Sequence, residues 1–101
     1  MRHRAKRRDD NHHELAAHAI SLGMSWLDTS QLNDGLDGLT GYAGTDVRVE
    51  IKDGAKVPSA RKLTTGEAAI FSAWKGRTPA LWETEADVEE TRANLLMARR
   101  S

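Results

Sequence analysis

The chain has 101 residues, enough for one domain with a modest hydrophobic core but too few for a second independent domain. Charged residues make up 30% and apolar residues 39%, which is typical of a globular chain and argues against disorder and against a membrane protein. The formal net charge is zero and cysteine is absent, which argues against a strongly basic nucleic-acid binder and excludes disulfides and thiolate zinc sites. The N-terminal residues lack the apolar core of a signal peptide, so we expect a cytoplasmic protein.

The charges are unevenly distributed along the chain. Residues 1–8, MRHRAKRR, form a basic arm in front of a single predicted domain at 9–101, whereas ETEADVEE near the C-terminus is strongly acidic. Such an arm attracts phosphate backbones through counterion release. Its candidate nucleic-acid contacts are Arg4, Arg7 and Arg8. A solvated tail without a ligand has the same composition, so both interpretations stay open.

The first half of the domain predicts a helix followed by three strands. A helix that ends near Leu22 can be capped by Asp9 or Asp10, because apolar residues recur in it at helical spacing. Residues 24–30 indicate a short strand. Residues 37–53 predict a β-hairpin whose turn lies at Gly44, Thr45 and Asp46 and whose second strand, VRVEIK, alternates strictly between apolar and polar residues.

The second half predicts a helix, a strand and a last helix. After an irregular basic loop, Thr64 and Glu67 have the spacing of a capping box, which begins a helix that ends near Gly76. TPALWE is the next strand, and the last helix begins near Thr84. The order α-β-β-β-α-β-α predicts an α+β fold with an α/β-type core, in which helices flank a mixed four-stranded sheet.

Two groups of residues suggest chemistry that their spacing does not support. HHELAAH places histidines near a glutamate, but His13 and His18 are five residues apart and point about 140° away from each other on a helix. We therefore expect packing or surface roles for the three histidines of this helix: His12, His13 and His18. The tryptophans lie in apolar patterns and are expected in the core, not as platforms for base stacking. They are Trp26, Trp74 and Trp82.

Two charged residues of the strand VRVEIK are placed for metal-assisted chemistry. Glu50 and Lys52 emerge from the same strand face, about 6 to 7 Å apart. Hairpin pairing can bring Asp37 across to Glu50, and two converging carboxylates repel each other unless a cation joins them. Such oxygen ligands suit Mg²⁺ or Mn²⁺, and a lysine beside the ion could assist phosphodiester hydrolysis. A plain solvated strand face is the alternative.

Several motifs, read in order, resemble the small phage-type members of the PD-(D/E)XK nuclease superfamily. They are GLDGLTGYAG, VEIKDGAKVPSARKLTTGE and FSAWKG, with DDNHHEL upstream, and they span roughly residues 9–76. In that superfamily a Gly-x-Pro-Asp segment leads through a Gly-Tyr-x-Gly hairpin to a Glu-x-Lys strand and a Leu-Thr-x-x-Glu helix start. The resemblance implies a restriction-endonuclease-like fold and a resolvase-like or other metal-dependent DNA endonuclease, located in the bacterial cytoplasm if a phage encodes it.

The resemblance also implies roles for individual residues. Asp37 matches the first metal-binding aspartate, Glu50 the second carboxylate and Lys52 the catalytic lysine. The backbone carbonyl of Ile51 is the expected further metal ligand, and Glu14 matches a glutamate of the first helix that commonly joins the site. The implied cofactor is Mg²⁺ or Mn²⁺.

Two positions depart from the superfamily pattern. Leu36 stands where the motif has proline, and Gly38 stands where a bulky apolar residue is usual. Proline presets the backbone but supplies no chemistry, so its loss leaves catalysis possible, whereas Gly38 leaves the placement of Asp37 open. The loop after the Glu-x-Lys strand could hold the phosphates beside the cut, or it could be an ordinary solvated loop. Its basic residues are Lys56, Arg61 and Lys62.

The resulting hypothesis is a magnesium-dependent deoxyribonuclease that acts as a homodimer, because so small a core offers few contacts for gripping a duplex. By analogy, its substrate would be branched or otherwise structured DNA in phage replication, recombination or repair. One alternative is a DNA- or protein-binding module that retains the fold without hydrolysis. Another is a small regulatory or inhibitor protein whose basic arm and acidic helix contact a protein partner.

Overall fold

A computed structural model describes residues 11–33 and 35–99, so the predicted basic arm lies outside the described residues. The helices and strands are α1 (His12–Ser21), β1 (Ser25–Asp28), β2 (Gly38–Tyr42), β3 (Thr45–Ile51), α2 (Thr65–Ala73), β4 (Ala80–Trp82) and α3 (Glu85–Arg99). The predicted element order and the mixed four-stranded sheet flanked by helices are confirmed. The loop predicted to be irregular contains one 3₁₀ helix, Pro58–Ala60. None of the helices in the described part of the chain combines the length and apolar character needed to cross a bilayer.

The sheet has the strand order β1-β2-β3-β4. The pairs β1–β2 and β2–β3 are antiparallel, whereas β3 and β4 run parallel and are joined by a crossover connection that contains α2. The β2–β3 hairpin turns at Ala43 and Gly44, with positive φ angles of 55° and 82°. Two such residues match the right-handed twist of paired strands. The turn therefore begins one residue earlier than predicted, and Thr45 already belongs to β3.

One face of the sheet packs against α1 and α3 and forms the core. Val47, Val49 and Ile51 point to this face, as the alternation of β3 predicts. Their buried neighbours come from both helices and from the segments beside them: Leu15, Ala19, Met24, Trp82, Val88 and Leu95. Trp82 is fully buried, as predicted, and its indole N–H donates to the hydroxyl of Thr91 at 2.9 Å. The one polar atom of this ring is thereby satisfied inside the core.

The helix α2 lies beside the opposite face of the sheet and contains no buried residue. The capping box at its start is confirmed: the Glu67 N–H donates to the Thr64 hydroxyl at 3.1 Å, and the Glu67 carboxylate accepts the Thr64 N–H at 2.8 Å. Two contacts tie this helix to β3. Glu67 pairs with Lys52 at 3.0 Å, and the Trp74 ring lies under the Arg48 guanidinium at 4.4 Å.

The prediction of a core position for Trp74 is wrong. The helix α2 ends at Ala73 instead of near Gly76, and the side chain of Trp74 just beyond it is 48% exposed. Because α1 and α3 both lie on the other face of the sheet, the apolar residues at the end of α2 have no second layer to pack against. Trp26 is only half-buried and stacks on the core ring of Trp82, with ring centroids 5.4 Å apart.

The helix α1 begins at His12, with Asn11 as its N-cap residue. The predicted capping aspartates lie outside the described residues. The Asn11 side chain makes no cap hydrogen bond, and it donates instead to the backbone carbonyls of Lys52 and Glu83 at 3.0 and 3.1 Å. These bonds fix the start of α1 beside the carboxyl ends of β3 and β4.

The three histidines of α1 take packing and surface positions, as predicted. His12 is buried and meets the ring of Trp26 edge-on, with centroids 5.8 Å apart. His13 is exposed, and the half-buried His18 lies 2.9 Å from the carboxylate of Glu89 on α3. His18 therefore links α1 to α3, whereas His13 on the same helix faces solvent.

Gly38 stands where the resemblance leads us to expect a bulky apolar residue, and the fold gives a packing reason for glycine at this position. A Cβ at this position would overlap the ring of Trp26, so no side chain fits there. We expect Gly38→Ala to lower the free energy of unfolding by about 1–3 kcal/mol, measured by urea denaturation. Gly66→Ala is the matched control, because its Cβ would meet nothing within 4 Å. That control should stabilise the fold by up to about 1 kcal/mol, and equal destabilisation of both variants would contradict this packing role.

Candidate active site

The hairpin brings three of the predicted site residues together at the carboxyl end of β3. Asp37 lies one position before β2, which places it opposite Glu50 on the same face when the strand register is extended by one step. Its Oδ2 atom accepts the backbone N–H of Ile51 at 2.8 Å. Lys52 Nζ lies 3.5 Å from Glu50 Oε2. Two carboxylates and one ammonium therefore share one site at the carboxyl end of β3.

The two carboxylates of this site are buried. Asp37 is 6% exposed and Glu50 is 2% exposed. The Oε1 atom of Glu50 receives no hydrogen bond from the described residues, an arrangement that costs on the order of 1–3 kcal/mol for a buried acceptor. This burial excludes the alternative that Glu50 lies on a plain solvated strand face.

Glu67 joins the cluster from the start of α2. Lys52 Nζ lies 3.0 Å from Glu67 Oε1, closer than its 3.5 Å distance to Glu50. The same Glu67 oxygen accepts the N–H of Thr64, so the capping box holds this carboxylate toward the lysine. The sequence pattern assigns Glu67 only to the cap. Its contact with Lys52 depends on the path of the loop between β3 and α2, although the spacing TTGE after a Glu-x-Lys strand is a signal that could have suggested it.

The pKa of Glu50 is strongly shifted in this environment. Burial, the negative charge of Asp37, and the hydrogen bonding and charge of Glu67 raise the pKa of Glu50 to about 8, against the opposing effect of Lys52. Burial would also raise the pKa of Glu67, but the Thr64 N–H and hydrogen bonding with Lys52 and Glu50 lower it. This shift favours the protonated form of Glu50, and a cation bound there would have to displace that proton.

Ile51 is oriented as the predicted role of its carbonyl requires. Its N–H points toward Asp37, and the N–H and C=O of one strand residue project toward the same strand edge. The backbone N–H of the next residue points to the opposite side of the strand: the Lys52 N–H donates to the carbonyl of Trp82 on β4 at 2.9 Å. The carbonyl of Ile51 thus projects to the side of β3 where Asp37 lies.

Glu14, the remaining predicted metal ligand, lies apart from this cluster. It is exposed on α1 and lines a cavity of about 250 Å³ with Asn11, Asp53 and Glu83, and none of the cluster residues lines that cavity. Glu14 is also absent from the charges that shift the pKa of Glu50. The structure therefore brings together only two of the three predicted carboxylates.

The predicted DNA contacts of the basic arm lie outside the described part of the chain: Arg4, Arg7 and Arg8. In the loop after β3, Lys56 and Lys62 are exposed. Arg61 is half-buried, because its Nε donates to the carbonyl of Lys56 at 2.7 Å and its guanidinium lies 3.6 Å from the carboxylate of Glu83. The side chains of the two lysines are accessible to the phosphates of a DNA ligand, whereas the contacts of Arg61 hold the loop together.

A further cavity among the described residues lies away from the acidic cluster. It has a volume of about 830 Å³ and opens between the start of β3, the start of β4 and α3. Among the described residues that line it, Arg77 is the only charged one. A functional pocket usually combines its volume with titratable groups whose pKa values are perturbed, and those groups lie at the other end of β3. We therefore place the candidate site at the cluster and not in this cavity.

A metal at the cluster would need ligands besides side chains. Among residues 11–33 and 35–99, no three histidine, aspartate or glutamate side chains are grouped closely enough to hold a metal ion by themselves. Mg²⁺ is commonly bound by one or two carboxylates together with waters and substrate phosphates, so a two-carboxylate site is within its normal range. Comparisons of the chain with protein-family models, curated proteins and solved structures found no match.

Proposed function

We propose that this chain is a divalent-cation-dependent deoxyribonuclease whose active site is the cluster of Asp37, Glu50 and Lys52. The observation that carries the proposal is the burial of facing carboxylates beside a single ammonium at the carboxyl end of β3. Glu50 and Glu67 both contact this lysine, and Asp37 adds a negative charge beside Glu50. Even with a proton on Glu50, the carboxylates of Asp37 and Glu67 outnumber the lysine ammonium, whereas a structural ion pair would be charge-balanced. This excess suits a cation that displaces the proton and binds between Asp37 and Glu50.

The donor atoms fit Mg²⁺ or Mn²⁺. Carboxylate and carbonyl oxygens are the hard ligands that these ions prefer, and the Glu50 Oε1 atom receives no hydrogen bond from the described residues. Asp37, Glu50 and the carbonyl of Ile51 would hold the ion. When bound, it would supply Lewis-acid polarisation of the scissile phosphate and a lower pKa for the attacking water.

The remaining roles belong to the chain itself. The Lys52 ammonium would donate to the attacking water or to a phosphate oxygen, and its charge would stabilise the negative charge that develops in the transition state. Glu67 holds that ammonium in place from the start of α2. The exposed Lys56 and Lys62 would contact phosphates beside the cut. A homodimer would extend these few contacts along a DNA duplex, and a branched or otherwise structured substrate is proposed by analogy.

A binding module without hydrolysis is the second candidate function. One observation favours it: Glu14 lies apart from the cluster, which leaves the site with fewer acidic ligands than the superfamily pattern implies. Such a module would contact DNA through the same lysines and the same end of β3, but its binding would not depend on a cation at Asp37 and Glu50.

Cleavage of labelled duplex, single-stranded, flapped and branched DNA with Mg²⁺ or Mn²⁺ tests the proposal. We expect the wild type to cut at least one of these DNAs, EDTA to stop the reaction, and Asp37→Asn to slow it by at least about 100-fold. The asparagine oxygen can still accept the Ile51 N–H, so the fold should persist. Glu90→Gln, an exposed change on α3, controls for the lost charge. DNA binding without cleavage by the wild type would favour the module, and no DNA binding would contradict both functions.

A further inference from the structure

Trp74 and Arg48 form a second feature on the sheet face that carries the acidic cluster. Trp74 follows the last residue of α2 and is 48% exposed. The guanidinium carbon of Arg48 lies 4.4 Å from the centre of its ring. Both residues line a shallow cavity of about 300 Å³ whose other walls come from α2: Ala69, Ile70 and Ala73. Core packing does not account for an aromatic ring at this degree of exposure.

The contact between Trp74 and Arg48 lies directly beside the proposed active site. Arg48 and Glu50 are two positions apart on β3, so their side chains leave the same face of the strand about 6 to 7 Å apart. The helix α2 runs across the same stretch, because Glu67 at its start contacts Lys52 and Trp74 beyond its end contacts Arg48. One extended strand of nucleic acid could therefore contact the cluster and the tryptophan ring together.

We propose that Trp74, with Arg48 stacked on it, is a nucleobase-stacking subsite for single-stranded DNA beside the cleavage site, an inference that rests on the proposed function. Every base has a π-face, so an exposed tryptophan binds unpaired bases with little sequence preference. The guanidinium adds a cation–π contact and a positive charge for a neighbouring phosphate. Because a paired base must first leave its stack, this subsite selects DNA with an unpaired segment, such as a flap.

A purely structural role for Trp74 is the competing explanation. Since α2 buries no residue, the Arg48 contact also helps to hold the end of this helix on the sheet. Trp74→Phe and Trp74→Leu separate the two roles. Phenylalanine retains an aromatic face for a base, whereas leucine retains apolar bulk without that face. Urea unfolding of both variants shows whether they lose comparable stability, so that a difference in binding reflects stacking.

The test compares the affinity for a short oligothymidylate with that for an abasic strand of equal length, by fluorescence anisotropy in EDTA. The two strands carry the same phosphates, so their affinity ratio reports contacts to bases. We expect the wild type to prefer the oligothymidylate by about fivefold or more, Trp74→Phe to keep most of this preference, and Trp74→Leu to lose it. Absence of the preference in the wild type, or its full retention in Trp74→Leu, would overturn the proposal.

A fluorescence measurement covers the case in which the leucine variant does not fold. Oligothymidylate should quench the tryptophan emission of the wild type more than that of Trp74→Phe, and equal quenching would also overturn the proposal. The binding assay contains no divalent cation, so it is independent of hydrolysis. A protein that prefers oligothymidylate but cuts no DNA supports the subsite and contradicts the nuclease. One that cuts DNA without this preference contradicts the subsite alone.

Discussion

Lys52→Met is expected to slow DNA cleavage by at least about 100-fold while DNA affinity stays within about twofold of the wild type. The lysine ammonium lies 3.5 Å from Glu50 and 3.0 Å from Glu67, and its charge lowers the pKa of both carboxyl groups. Methionine keeps most of the alkyl stem but removes the charge. Single-turnover cleavage and equilibrium DNA binding, measured on the same substrate, separate the two effects.

The matched control for this variant removes a positive charge far from the cluster. Arg99→Met changes an exposed residue at the end of α3 and is expected to cleave at the wild-type rate. Binding of Mg²⁺ should survive in Lys52→Met, because the proposed ligands are all oxygens. If Lys52→Met cut DNA as fast as Arg99→Met, the proposed role of the lysine in the chemical step would be contradicted.

Glu50→Gln is expected to be inactive and, at alkaline pH, more stable than the wild type. The pKa of Glu50 is about 8 in the folded protein, well above the usual glutamate value, so the folded state binds the proton more tightly than the unfolded state. The free energy of unfolding of the wild type should therefore fall as pH rises through the range that ends near 8. At about 1.4 kcal/mol per pKa unit, the loss is on the order of a few kcal/mol.

Urea unfolding from about pH 5 to about pH 9 measures this effect. Glutamine keeps the shape of the side chain but carries no proton to lose, so its stability advantage over the wild type should grow as pH rises. Glu90→Gln is the control, because Glu90 is an exposed carboxylate on α3, and this variant should follow the wild-type curve. A stability difference between Glu50→Gln and the wild type that does not change with pH would contradict the raised pKa.

The parts of the molecule that sequence predicts best are those set by local spacing. The alternation of Val47, Val49 and Ile51 gives the core face of β3, and the Thr64 and Glu67 pair gives the start of α2. The meeting of Asp37 with Glu50 follows from the same rules, because a hairpin with a short turn has one register in which its apolar face stays buried. The prediction differs from the structure in the residue at which the turn begins and in the strand ends, since β2 begins at Gly38 and β3 extends over Thr45–Ile51.

Spacing along the sequence does not predict the features that depend on packing between distant segments. Gly38 is required by the ring of Trp26 on the neighbouring strand, and no pattern within either strand shows that contact. The exposure of Trp74 depends on which face of the sheet α1 and α3 cover. The position of Glu14 depends on the orientation of α1, which the Asn11 side chain fixes through bonds to two strand ends.

Titration of the wild type, Asp37→Asn and Glu50→Gln with Mn²⁺ and Mg²⁺ by isothermal calorimetry tests the central claim most directly. That claim is that the buried carboxylates at the end of β3 hold a divalent cation. We expect the wild type to bind the ion, with an affinity that increases as pH approaches about 8 because the proton on Glu50 is displaced, and both variants to lose binding. No binding by the wild type, or undiminished binding by either variant, would contradict the claim.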